Sequence, residues 1–346
     1  MKVKLLLIAF VSCLVIVGSE SCKGDMGDVG PQGPQGPQGP TGQDGVQDCM
    51  GCHNNSQLIS EKMFQWANSV HATGGQFKTH NNATCAGCHT SQGFLDRLVT
   101  GEMTASMDIE NPLPQNCYTC HKIHQTYTQS DWDNTTTEPV TFWVGGATVD
   151  LDKGNLCINC HQPRVPTPAL PPVGENSTYT LTNKRYGPHH GAQGAMFTGS
   201  GAYEIGDGYQ NSSHTALVEN ACITCHMATI QGGNEAGGHT FRVISESGDI
   251  NTAGCIQCHM DTDELEMMVA AKQSEIEQLL DSLGHKLNDL GLLDANLEYA
   301  ITPQDFTSLR LGILWNYQYV REDNSRGVHN FKYAKTLLEN SIQYLE

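Results

Sequence analysis

Cys117-Tyr118-Thr119-Cys120-His121 is a five-residue phrase that decides how this chain is read, because its frame recurs six times. The other five are Cys49-Met50-Gly51-Cys52-His53, Cys85-Ala86-Gly87-Cys88-His89, Cys157-Ile158-Asn159-Cys160-His161, Cys222-Ile223-Thr224-Cys225-His226 and Cys255-Ile256-Gln257-Cys258-His259. Each is C-x-x-C-H, the attachment signature of a c-type haem. Two thiols one helical turn apart form thioethers with the two vinyl groups of one porphyrin, and the next histidine reaches its iron. At this content of cysteine and histidine, about 0.02 chance matches are expected in the whole chain. A zinc site built from paired cysteines leaves the following histidine idle, and a disulfide scaffold gives no reason for it at all. The cofactor implied is six covalently bound c-type haems, with His53, His89, His121, His161, His226 and His259 as proximal iron ligands.

Working outward, nine histidines of the fifteen remain. Six bis-histidine haems need six distal ligands. The candidates within the haem region are His71, His80, His124, His189, His190, His214 and His239. His189 and His190 are adjacent, so their side chains diverge and one of them binds. His124 follows His121 by three residues, on the same helical face, so it is expected to serve a neighbouring haem rather than its own. His285 and His329 lie beyond the motifs and read as surface and turn residues. Iron with two imidazoles has no open site and transfers electrons without binding substrate. A reductase of a small nitrogen or sulfur oxyanion, with one haem left open, is the alternative. No catalytic residue is assigned, and an electron carrier is favoured over an enzyme.

The segment before the motifs carries different signals. Lys2 and Lys4 precede an apolar run from Leu5 to Val17, too short to span a bilayer and followed by small residues, which reads as an export signal. Cys22 stands where a bacterial lipoprotein signal, which this stretch resembles, places its lipidated cysteine; simple cleavage after Ser19 fits as well. Glycine then recurs at every third position from Gly24 to Gly45, with Pro31, Pro34, Pro37 and Pro40 after consecutive glycines. This collagen-like stalk reads as a polyproline II spacer of roughly 70 Å, with trimerisation through a triple helix as the sharper alternative. The organisation expected is therefore signal peptide at 1–21, stalk at 22–45, hexahaem domain at 46–260 and helical cap at 261–346.

The cap is read from periodicity. Asp261-Thr262-Asp263-Glu264 starts a helix with acids in its first turn, Leu265 to Leu287 recur at helical spacing, and Gly291 stops it. Thr302-Pro303-Gln304-Asp305 is expected to start a second helix, and 330–345 to form a third. The fold class is a multihaem cytochrome c, mostly loops and short helices wrapped around six haems, with a C-terminal helical bundle or cap. Aromatic residues are 7% of the chain, and a core made largely of porphyrin would account for that. The formal charge of −18 excludes nucleic acid and adhesion to an anionic bilayer.

Residues Met63-Phe64-Gln65-Trp66-Ala67-Asn68-Ser69-Val70-His71 carry a further signal. It extends to Gly93-Phe94, Gly187-Pro188-His189-His190-Gly191, Met196-Phe197, Gly201-Ala202-Tyr203, Ser213-His214 and Gly237-Gly238-His239-Thr240-Phe241. With the motifs between them, these resemble segments of extracellular multihaem c-type cytochromes of metal-reducing bacteria, a family with filament-forming members. The resemblance covers 46–260 and implies an exported carrier at the outer membrane, the cell surface or in the periplasm. Its partners would be other redox proteins or extracellular electron acceptors. A membrane would be met only through a lipid on Cys22, and a homotrimer or filament is open. The stalk and the helical C-terminus depart from the filament-formers and favour tethering.

Overall fold

The computed structural model describes His53 and residues 57–229 and 235–345. The leader, Cys22, the stalk and the cysteines of the first motif, Cys49 and Cys52, lie outside the described residues.

The chain folds as short helices strung on loops until it reaches its last quarter. Helix α1 (Gln57–Ala67) is followed by α2 (Val70–Thr73), capped by the Ser69 hydroxyl, which accepts from Ala72 N at 3.3 Å. Helix α3 (Ala83–His89) carries the second motif, and α4 (Ser91–Thr100) packs on it. The third, fourth and fifth motifs lie on α5 (Cys117–Cys120), at the end of α6 (Asn155–Ile158) and on α9 (Cys222–His226). Between them come a hairpin of β1 (Val140–Thr141) and β2 (Thr148–Val149), the strand β3 (Thr178–Leu181), and helices α7 (Gln193–Thr198) and α8 (His214–Leu217). The sixth motif is a turn after a 3-10 segment, Thr252–Gly254.

An asparagine caps or opens several of these one-turn elements. Asn82 Oδ1 accepts from Cys85 N at 3.2 Å, Asn116 forms a reciprocal capping box with Thr119, and Asn251 Oδ1 accepts from Ala253 N at 3.1 Å. Helices this short cannot stand on propensity alone, so caps that satisfy their first amide groups are a large part of what holds the motif cysteines in place.

The C-terminal helices behave differently. Helix α10 (Thr262–Asp289) begins at Asp261, whose carboxylate accepts from Glu264 N at 2.9 Å, and Gly291 just beyond its end has φ +69°. The second helix does not start at Thr302 as its sequence suggests. Gln304–Thr307 instead form strand β4, antiparallel to β3 with Leu181 opposite Gln304 and Phe306 opposite Tyr179. The helix α11 (Ser308–Asp323) follows, capped by Thr307. Local start signals lose here to a distant partner strand that satisfies the same backbone groups and lets Phe306 be buried. Helix α12 (Phe331–Tyr344) is capped by Asn330, and it packs with α10 and α11.

Helix α11 is the centre of the core. Leu311, Ile313, Leu314, Trp315 and Tyr319 are fully buried, and they pack with Phe142, Ile158, Leu181, Met196 and Tyr203 upstream and with Leu337 and Leu338 downstream. Most polar side chains inside this core are paired, Tyr186 OH being an exception among the described residues. Asn316 exchanges two hydrogen bonds with the Tyr203 backbone, at 2.7 and 2.8 Å; Trp315 Nε1 donates to Gly201 O at 3.0 Å; Tyr319 OH donates to Ser200 O at 2.6 Å. The expectation of a core left to porphyrin is therefore corrected for this half of the molecule, where side chains fill it.

Candidate functional site: facing histidine pairs

Histidines far apart in sequence meet in pairs. The ring centroids of His71 and His161, His89 and His189, His121 and His239, His214 and His259, and His226 and His329 are all 6.2 Å apart, and those of His53 and His124 are 5.9 Å apart. Each pair joins one motif histidine to one histidine from elsewhere in the chain. The separation is too large for ring stacking and has a simple chemical meaning. Two imidazoles on opposite sides of one metal, each bonded through nitrogen at about 2 Å, hold their centroids about 6 Å apart.

Hydrogen bonding fixes which nitrogen is available. His121 Nδ1 donates to Trp132 O at 2.7 Å, His226 Nδ1 to Phe241 O at 2.9 Å, His161 Nδ1 to Gln193 Oε1 at 3.2 Å and His329 Nδ1 to Asp323 Oδ1 at 2.7 Å. Carbonyl and carboxylate oxygens only accept, so Nδ1 carries the proton and Nε2 keeps the lone pair a metal needs. His239 Nδ1 is buried with no partner among the described residues. Burial holds His71, His189 and His239 down to about 4, so these rings are neutral at physiological pH, the form that ligates iron.

The candidates singled out from sequence separate by geometry. His189 faces His89, while His190 is exposed and sits 3.5 Å from the Glu322 carboxylate. His80 also lies beside His89, but at 5.0 Å between centroids, closer than two ligands of one iron stand, and its Nδ1 is engaged by Thr79 Oγ1 and Gln76 O. His124 is not on a helix with His121: α5 ends at Cys120, and His124 has φ +60° in a loop held by Asp131, whose carboxylate accepts from His124 N at 2.8 Å. The helical argument for it fails, although its ring does lie beside His53 rather than His121. His285 is exposed, next to Asp281 on α10. His329 does sit in a turn, yet that turn brings its ring to His226, a meeting of positions no local pattern announces.

The motif cysteines cluster too. None of the ten in the described residues is in a disulfide. Cys88 and Cys160 lie close enough for their thiols to interact, and so do Cys157 and Cys222. Arg97, buried on α4, closes over the first of these junctions: its guanidinium donates to Gly87 O at 3.0 Å, Cys88 Sγ at 3.3 Å and Asn159 O at 3.3 Å, and stacks 5.0 Å from the Trp143 ring. Gly87 is required for this, since a Cβ there would meet the Arg97 stem. Phe241 is a second junction that sequence reading did not single out. Its ring is 4.9 Å from His71 and 6.0 Å from His239, and its carbonyl takes the His226 proton. Gly238, at φ +53°, lets Gln65 Oε1 approach and accept from His239 N at 3.0 Å. Paired thiols on short helices and neutral imidazoles facing across a metal-sized gap are together what c-type haem requires, and these residues fit it.

Comparison with known proteins agrees. Residues 202–346 match the cytochrome c552 family. Among solved structures, the outer cell wall cytochrome OcwA matches with a TM-score of 0.53 at 20% identity, over 82% of this chain. The chain spans about half the length of that protein, 50%. No curated protein sequence matches. Over 82% of its length the chain shares the fold of that cytochrome.

Proposed function

We propose that this chain is an exported electron carrier that holds six c-type haems, each between two histidines. Numbering haems I to VI by motif order, the axial pairs are His53 and His124, His89 and His189, His121 and His239, His161 and His71, His226 and His329, and His259 and His214. The observation that carries this reading is the common centroid separation of 5.9 to 6.2 Å in all six pairs. Bound haem supplies a one-electron ferric/ferrous couple. The chain's own residues do the rest. The paired histidines would hold the iron of each haem, and the Nδ1 hydrogen bonds of His121, His161, His226 and His329 fix ring orientation. The Cys88–Cys160 and Cys157–Cys222 approaches tie haem II to IV and IV to V, and Phe241 touches axial ligands of III, IV and V, so an electron has short steps between neighbours.

Electron paramagnetic resonance of the fully oxidised, haem-loaded protein tests this. Low-spin ferric signals alone, integrating to every haem, are expected. A high-spin ferric signal would mean an open iron and would favour reduction of a small nitrogen or sulfur oxyanion. The leader and the stalk support a position in the periplasm or at the cell surface, tethered through Cys22 where lipidated, with other redox proteins or extracellular acceptors as partners.

A further inference from the structure

One axial histidine differs from the rest in what its outer nitrogen meets. His121 and His226 donate Nδ1 to backbone carbonyls, His161 donates to an amide oxygen and His239 has no acceptor, all uncharged surroundings. His329 alone among the described axial rings donates to a carboxylate, Asp323 Oδ1 at 2.7 Å. The pair is shielded from water, with the Asp323 side chain 1% exposed and that of His329 21%.

Stability does not explain an acid at this position. Asp323 is the last residue of α11, where the helix dipole disfavours negative charge, and a buried carboxylate is costly unless it is paired and hydrogen-bonded. The chain nevertheless secures it. Asp323 Oδ2 accepts from Ser325 N at 3.3 Å and from the Ser325 hydroxyl, whose oxygen in turn accepts from His329 N at 3.2 Å. This closed ring of bonds aims one carboxylate oxygen at one imidazole.

We propose that Asp323 is a positioning residue that sets a redox potential: its buried carboxylate makes the haem held by His226 and His329 the lowest in potential of the six. The inference rests on the reading that His226 and His329 ligate one iron. A charged acceptor raises the basicity of the ring it binds, and a negative charge in a dry site acts at full strength on the metal charge. Both effects favour ferric over ferrous iron, so the one-electron reduction is harder. The proton stays between Nδ1 and the carboxylate throughout, and only an electron is exchanged with the neighbouring haem.

Spectroelectrochemical titration of the full haem-loaded chain tests this. In Asp323→Asn, the lowest-potential sixth of the absorbance change should move up by about tenfold in its one-electron equilibrium, about 59 mV, with all haems attached and low-spin. Asp323→Glu should bring it back toward the original value. Ser325→Ala, a mild change that leaves more charge on the carboxylate, should move the same sixth the opposite way, and it decides the matter if the asparagine variant does not fold. A lowest sixth that stays put in the folded variants overturns the proposal. His329→Ala separates the two levels: the appearance of high-spin iron upholds ligation even where the potential does not respond, and unchanged low-spin signals overturn the ligation itself.

Discussion

The two halves of the described chain are held together by different means. Among the described side chains between residues 59 and 139, the buried apolar ones are Ala86, Phe94 and Ala105. From Val140 onward, a continuous apolar core runs from the β1–β2 hairpin through Tyr203 to α11 and α12. The first half replaces a core with capped turns, buried Arg97 and facing histidines, so under the proposed function its folding free energy would come largely from bound haem. The second half buries enough side chain to order itself. The same chain thus contains a wrapping and a scaffold, and α11 is the centre of the scaffold: its flank builds the core, and its end delivers Glu322 to His190 and Asp323 to His329.

Removing haem breaks the comparison most severely. In chain produced without haem attachment, amides of 57–139 should exchange with solvent at near-unfolded rates while α11 stays protected, as read by hydrogen exchange; equal protection in both halves would falsify the division. Next comes damage to the scaffold. Leu337→Ala, at a fully buried site, should cost about 2–5 kcal/mol in denaturant unfolding of the C-terminal half. Gly312→Ala, whose Cβ would run into the Tyr203 ring, should cost about 1–3 kcal/mol by overpacking. Within the wrapping, Arg97→Met takes away the side-chain donor to the Gly87 carbonyl, while Asn159 O keeps Gln162 Nε2; a loss of about 1–3 kcal/mol should raise exchange around Cys88 and leave α11 unaffected. The smallest effect belongs to the cap of α11. Thr307→Ala removes the hydroxyl that accepts from Arg310 N and should lower the thermal midpoint by the few degrees that about 1 kcal/mol represents.

What could be read from sequence follows the range of the interaction concerned. The C-x-x-C-H phrases are local, and so are the start of α10 at Asp261 and that of α12 at Asn330, so their residues announce them. The strand at Gln304–Thr307 is not local: Thr302-Pro303-Gln304-Asp305 has the chemistry of a helix start, and only β3, more than a hundred residues earlier, turns it into an edge. The histidine pairings are the extreme case. His189 and His80 are equally plausible partners for His89 on paper, and the difference between 6.2 and 5.0 Å exists only after folding. His329 was set aside because it lies outside the motif region. Its one local mark is an acid six residues before it, which has meaning only once the turn closes and Nδ1 meets Asp323. Phe241 shows no mark at all, since its role depends on three rings converging on it.

The approach of Cys88 to Cys160 and of Cys157 to Cys222 has a consequence for biogenesis. These thiols belong to different motifs, and the export proposed above would place maturation in an oxidising compartment. A chain that folded first would bring the wrong sulfurs together, and a disulfide between motifs would block two attachment sites at once. Thioether formation must therefore outrun both folding and oxidation. The scaffold half, which buries enough side chain to order itself, brings Cys157 and Cys222 together soonest, so that pair sets the pace of the race.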